Sequence, residues 1–175
     1  MKVLMTDFDG VLNSEASFHM EIRRKTLHVS NTLSVVACSN LQYILDQDPE
    51  IKIVISSTWR KIHTMQELKN ILNSYGVNPA RVIDKTPSVF SGNRAHEINL
   101  WLEEHPGDHV VVILDDDNDV LGVTDKRCHV FQTTWEDGLL FKQAKMISKL
   151  FREASEPLPG WTADGTVYIS KQPGA

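Results

Sequence analysis

Strand-like and helix-like segments alternate along this chain, an order that predicts an α/β fold with a mostly parallel central sheet and helices on both faces. Short apolar runs occupy residues 2–5, 51–55 and 110–114, with a weaker one at 128–132. Amphipathic stretches at 33–45, 64–74, 94–104 and 139–151 fall between or after them. The runs are continuously apolar rather than alternating, as strands covered on both faces are. A third observation locates the working end of the sheet. Three of the runs lead into carboxylates or hydroxyls, and open α/β sheets place their ligands at the carboxyl ends of the strands. At 175 residues the chain is long enough to bury a core and short enough to be one domain.

The first run passes through Thr6 into Asp7-Phe8-Asp9-Gly10. Alternate side chains of a strand share a face, so Asp7 and Asp9 point the same way if the strand continues. Gly10 lets the backbone bend where a β-carbon would hinder it. Two like charges this close repel unless a cation sits between them or one carries a proton. A Ca2+-binding loop also contains Asp-x-Asp-Gly, but needs more acidic residues at alternate positions and a later Glu. Val11, Leu12 and Asn13 do not supply them. The following segment, 14–31, mixes aromatic, basic and polar residues. At about 20 residues it is too short for a folded cap, so it is expected to be a small lid or flap over an open site.

The second run ends in Ser56-Ser57-Thr58-Trp59-Arg60. Hydroxyls there can donate to a phosphate oxygen, as can the amides of a helix that starts there. The same serines are equally good helix N-caps. Arg60 either adds a bidentate phosphate contact or sits in the first helical turn. In the stretch 94–104, Ile98, Trp101 and Leu102 are spaced i, i+3 and i+4 as on one helix face. Arg94 lies at the start of that helix, where the dipole disfavours a cation, which implies a compensating anion nearby. Glu97, one turn later, reads as an orienting partner. The run 110–114 ends in Asp115-Asp116-Asp117-Asn118-Asp119, either a solvated acidic loop or a site for a hard cation. After Arg152 the chain changes character: Pro157, Pro159 and Gly160 break any helix. Residues 161–170 fit a short hairpin around Asp164-Gly165. The expected organisation is a domain over 1–152 and an extension over 153–175.

Composition narrows the function classes. With 41% hydrophobic and 23% charged residues the chain reads as an ordinary globular protein. A net charge of -5 argues against a generic, salt-driven nucleic-acid binder, although a local patch such as Arg23-Arg24-Lys25 remains compatible with contacts to backbone phosphates. Cys38 and Cys128 are isolated, so neither a disulfide framework nor a zinc site is implied. No window reaches the roughly 18 apolar residues of a membrane span, and no leader pattern opens the chain. The expectation is a cytoplasmic protein with no membrane association and no obligate protein partner.

Asp7-Phe8-Asp9-Gly10-Val11-Leu12, then Ser56, Arg94 and Asp115-Asp116, resemble in order and spacing the four motifs of the haloacid dehalogenase (HAD) superfamily, mostly Mg2+-dependent phosphoryl-transfer enzymes. The resemblance implies a Rossmann-like three-layer fold, capless or with a minimal flap. It implies that Asp7 attacks phosphorus and Asp9 is the general acid and base. Ser56 is the first candidate for gripping the phosphoryl group, with Ser57 close behind. Arg94 is the expected neutralising cation and Lys85 its competitor. Substrate contacts are expected from Ser57, Arg60 and Gly10. Mg2+ is the implied cofactor, held by Asp7, Asp9, Asp116 and Asp115, with Asp119 in reserve. Residues 55–60, Thr86-Pro87, Arg94-x-x-Glu97-Ile98-x-x-Trp101-Leu102, Asp115-Asp116 and Gly138-Leu139 are further similar to the HAD domains of "Swiss Army knife" RNA-repair proteins and to the phosphatase half of phage polynucleotide kinase. That resemblance implies a phosphatase acting on phosphorylated polynucleotide ends. Two alternatives stay open: a small-nucleotide phosphatase with Trp59 or Phe18 as a base-stacking surface, and a phosphate-binding module without turnover.

Overall fold

The computed structural model describes residues 1–15, 17 and 33–154. One sheet organises them, made of β1 (Lys2–Thr6), β2 (Ile51–Ile55), β3 (Val82–Lys85), β4 (Val110–Asp115) and β5 (Cys128–Gln132). Its strand order is β3-β2-β1-β4-β5, and every neighbouring pair is parallel. The helices are α1 (Val35–Asp46), α2 (Met65–Ser74), α3 (Arg94–Glu104) and α4 (Phe141–Glu153). Each predicted helix is present, and its start follows its cap. The Ser34 hydroxyl accepts from the Ala37 amide. Thr64 and Glu67 exchange side-chain and backbone hydrogen bonds as a capping box, and the Asn93 side chain accepts from the His96 amide at 2.8 Å.

The strand that sequence reasoning missed is β3. Only four residues long, it lies at the edge of the sheet and ends in the half-buried polar pair Asp84 and Lys85. Short, charged edge strands lack the continuous apolar signature of central ones.

The pleat sends alternate strand residues to two cores. Leu4, Ile53 and Val112 face Leu41 and Ile44 of α1, Leu68 of α2 and Phe151 of α4. Val3, Met5, Val111 and Ile113 face Ile98, Trp101 and Leu102 of α3. Burying each such aliphatic side chain contributes roughly 1.5–3 kcal/mol, which fixes the register: a slip of one residue would exchange the two faces.

That register also positions the functional end. The chain runs from β1 outward through β2 to β3, then returns to lay β4 on the other side of β1. The loops leaving β1 and β4 therefore diverge, and a crevice opens between their carboxyl ends. The Asp7 amide donates to the Leu114 carbonyl at 2.9 Å, and the Ser56 amide to the Thr6 carbonyl at 2.9 Å. The ladder thus continues past the strands and sets the loop residues side by side.

Among the described residues no helix is long and apolar enough to cross a membrane. The expected flap at 14–31, including Phe18 and Arg23-Arg24-Lys25, and the expected extension at 153–175 with its hairpin lie almost wholly outside the described residues.

Candidate active site

Asp7 follows β1 directly and is only 6% exposed. Its Oδ1 accepts from the Phe8 amide at 2.6 Å, and its Oδ2 lies 3.2 Å from the Arg94 guanidinium. Burial raises its pKa to about 6, against the lowering effects of Arg94, the Ser57 hydroxyl and the Phe8 amide. Asp115, the last residue of β4, is wholly buried. Its Oδ1 accepts from the Asp117 amide at 3.0 Å, while its Oδ2 lies 3.4 Å from Arg94 Nε and has no hydrogen bond. Burial first, and then the charge of Asp7, push its pKa to about 8. Asp116 is half-buried, and burial raises its pKa too.

One oxygen from each of Asp7, Asp115 and Asp116 lies within 4.8 Å of the others. Three carboxylates face one guanidinium there, so two negative charges remain uncompensated when all are ionised. Burial comes first among the causes of all three raised pKa values, like charge adds to it, and Asp115 Oδ2 is left without a hydrogen bond. A hard divalent ion fits this all-oxygen donor set, which contains neither His nor Cys. Gly10 makes room for it: at φ +70° its backbone favours glycine, and a β-carbon there would fall on the Asp116 carboxylate.

Arg94 is the cation at this centre. Besides its ion pairs with Asp7 and Asp115, it donates to the Ser56 carbonyl. Lys85, the competing candidate, instead donates to the Arg60 carbonyl at 3.1 Å. The anion implied by a cation at a helix start is present twice. Asp7 and Asp115 face the guanidinium, and Asp119 accepts from the Arg94 backbone amide at 2.9 Å. Asp119 is thereby committed to the N-terminus of α3 and does not join the carboxylate cluster, a correction to its expected reserve role.

Asp9 sits apart from the three clustered oxygens. Asn13 Nδ2 donates to its Oδ1 at 2.7 Å and Trp59 Nε1 to its Oδ2 at 2.9 Å. Its carboxylate is thus oriented by two donors, and the close group of oxygens is formed by Asp7, Asp115 and Asp116 without it. A lone pair on each oxygen remains for proton transfer. Asn13 also accepts from the Gly10 amide at 3.1 Å, so that amide is engaged within its own loop rather than offered to substrate. Asn13 lies just past the first motif, and nothing in the sequence pattern marked its clamping role.

Three further expectations change. Ser57, not Ser56, brings its hydroxyl to Asp7; Ser56 turns its hydroxyl toward Thr86 Oγ1, 3.5 Å away. Trp59 is buried, edge-on to Phe8 with ring centroids 5.1 Å apart, and its indole nitrogen is taken by Asp9. It offers no face for a stacked base. Arg60 is buried and spends its donors inside the protein: on the carbonyls of Thr86, Ser57 and Pro87, and on the Glu97 carboxylate. It braces the loop after β3 and does not present a fork to phosphate. Glu97, expected as an orienting partner, accepts from Arg60 and from the Val89 amide.

Comparison with known proteins places this geometry. No curated protein matches the chain. Among solved structures, the HAD domain of effector protein Lem4 from Legionella pneumophila has a TM-score of 0.56 at 16% identity, over 86% of this chain and 94% of that one. An inactive mutant of that domain gives 0.56 at 15% identity, over 86% and 93%. The Legionella pneumophila effector Ceg4, crystallised with an N-terminal yeast Hog1p sequence, gives 0.52 at 12%, over 85% and 94%. At such identities these likenesses speak for the fold alone. The family is fixed by sequence: residues 3–144 match the model of the HAD domain in Swiss Army Knife RNA repair proteins. That match runs from the first strand through the carboxylate cluster into the last helix, and the chain belongs to this HAD-domain family.

Proposed function

We propose that this chain is a Mg2+-dependent phosphatase that removes phosphate from a polynucleotide end through an aspartyl-phosphate intermediate. The observation that carries the reading is Asp7: a buried carboxylate held by Arg94 and Ser57 and within reach of the Asp115 and Asp116 oxygens. The polynucleotide end is supported by membership of a family whose HAD domains occur in RNA repair proteins.

In the proposed cycle a carboxylate oxygen of Asp7 attacks phosphorus in line as the bond to the leaving oxygen breaks. Asp9, held on its far side by Asn13 and Trp59, gives that oxygen a proton. Asp9 then takes a proton from water, whose oxygen attacks the phosphorus of the aspartyl-phosphate, releasing inorganic phosphate and restoring Asp7. Arg94 keeps Asp7 aimed and supplies one fixed positive charge throughout. Asp7, Asp115 and Asp116 are the residues that would hold Mg2+, which when bound supplies the remaining positive charge against the phosphoryl oxygens.

Chelation and a substrate panel test this reading together. EDTA should stop turnover and added Mg2+ restore it, with 3'- or 5'-phosphorylated oligonucleotides preferred over mononucleotides and sugar phosphates. Brisk hydrolysis of mononucleotides without any turnover of oligonucleotides would transfer the assignment to a small-nucleotide phosphatase. Activity surviving thorough chelation would overturn the metal dependence.

The raised carboxyl pKa values give a second expected result. A carboxyl raised in the folded state binds more protons folded than unfolded. The stability contributed by Asp7 and Asp115 is therefore present below about pH 4 and lost as pH rises through about 6 and about 8. Burial lowers the pKa of His109 and His129, which act in the opposite direction. The difference in Tm with and without Mg2+ isolates the site from them. Ion binding must displace the carboxyl protons, so the Mg2+-induced gain in Tm should be small at pH 5 and grow up to pH 8. A gain independent of pH over this range would place the ion elsewhere.

A further inference from the structure

A groove of about 450 Å³ opens beside the carboxylate cluster, between Asp116 and the loop that joins β5 to α4. Asp116 forms one end of it, and Trp135 and Lys142 stand in its wall. Trp135 is 45% exposed, although nearly every backbone group around it is pinned. Thr133 donates through its amide to the Asp115 carbonyl at 3.0 Å and through its hydroxyl to the Gly10 carbonyl at 2.8 Å. Gln132 Nε2 donates to the Asp116 carbonyl at 3.1 Å, and the Leu139 amide to the Val11 carbonyl at 2.8 Å. The Trp135 carbonyl itself accepts from the Glu15 amide at 2.8 Å. Gly138, at φ +66°, leaves no space for a β-carbon against the Val11 carbonyl. The wall is thus bolted to the two loops that carry Asp7, Asp115 and Asp116, and it carries an exposed indole beside them.

Resting on the phosphatase reading, we propose that this groove is the subsite for the nucleoside that carries the scissile phosphate, with its base stacked on Trp135. An aromatic face takes any base, because every base has a π-face. The charge pattern favours a nucleoside over a run of phosphates: Glu136 and Asp137 join Asp116 along the groove and repel additional phosphates, while Lys142, the one cation among the described lining residues, suits one neighbouring phosphodiester. The side-chain carbonyl of Gln132, whose Nε2 is taken by Asp116 and Asn118, and the Thr134 hydroxyl line the groove as polar groups suited to ribose or base edges. Trp135 takes the stacking role that buried Trp59 cannot fill. The nucleoside can arrive as a polynucleotide end or as a free nucleotide, and the groove chemistry is the same for both.

The test compares kcat/KM for a phosphorylated oligonucleotide, the matching mononucleotide and glycerol phosphate, in the parent, Trp135→Phe and Trp135→Ala proteins. Loss of one base–aromatic stack should lower the preference for nucleoside phosphates over glycerol phosphate roughly 10-fold or more in Trp135→Ala, mainly through KM, while Trp135→Phe keeps most of it. A lowered preference for both nucleoside substrates supports the subsite for either source; for the oligonucleotide alone, it assigns the groove to polynucleotide ends. An unchanged preference in Trp135→Ala overturns the subsite and leaves the phosphatase reading standing. If the parent hydrolyses none of the three, the phosphatase reading fails, and the groove is judged by fluorescence anisotropy of a labelled phosphorylated oligonucleotide. Weaker binding to Trp135→Ala than to the parent supports it, and equal binding overturns it.

Discussion

An Asp7→Asn protein should fold like its parent and lose turnover by about 10^4-fold or more, the scale seen when a covalent nucleophile is removed. The substitution keeps side-chain volume, the Asn carbonyl can still accept from the Phe8 amide in place of Oδ1, and Arg94 keeps its ion pair with Asp115. Stability should not fall. A carboxylate whose pKa is pushed up to about 6 by burial is a cost to the fold at neutral pH, and the neutral amide removes that cost. Two readouts accompany the rate: Tm without Mg2+ at pH 7, expected at or above the parent's, and acid-quenched label from a 32P-substrate, expected on the parent and absent from the variant. A well-folded Asp7→Asn protein with full activity would refute the covalent route. Label retained on the variant would move the nucleophile to another residue.

The features legible in the sequence were those carried by contiguous residues. β1 with Asp7, β2 with its serines and β4 with Asp115-Asp116 each combine an apolar run and its polar exit within ten residues, and a parallel ladder then brings the exits together. What stayed hidden depends on contacts far apart in sequence. Which serine reaches Asp7 is set by how the chain turns after Ile55, and nothing distinguishes Ser56 from Ser57 in the local pattern. Arg60 read as a phosphate ligand because its neighbours resembled a phosphate site. Its true partners, Thr86, Pro87 and Glu97, lie 26 to 37 residues away. Asp119 likewise looked like a member of an acidic cluster, yet a helix start 25 residues earlier claims it. The orientation of Asp9 was hidden for a related reason: Trp59, 50 residues on, donates to its carboxylate.

The Arg60–Glu97 pair carries the largest expected effect on stability. Both side chains are 2% exposed. Burial, helped by the charge of Arg94, pulls the Arg60 pKa below its usual value, and Glu97 is the strongest influence opposing it. Glu97 in turn uses its second oxygen on the Val89 amide at 3.1 Å. Truncating it with Glu97→Ala leaves a buried guanidinium without its counter-charge and a backbone donor without an acceptor. Breaking a buried pair from one side costs about 3–5 kcal/mol, which for a chain of this size lowers Tm by roughly 10 °C. The variant's effect on activity should follow the same geometry. Glu97 lies one helical turn from Arg94 on α3, so loosening the brace between α3, the loop after β3 and the turn that carries Ser57 should misplace the two groups that hold Asp7. Below its Tm, Glu97→Ala is therefore expected to lower kcat more than it raises KM, and Glu97→Gln, whose one carbonyl restores a single acceptor but not the charge, should recover part of both stability and kcat. A Glu97→Ala protein as stable as its parent would mean that the buried pair contributes nothing net to the fold. A stability loss with unchanged kcat would confine Glu97 to a structural role.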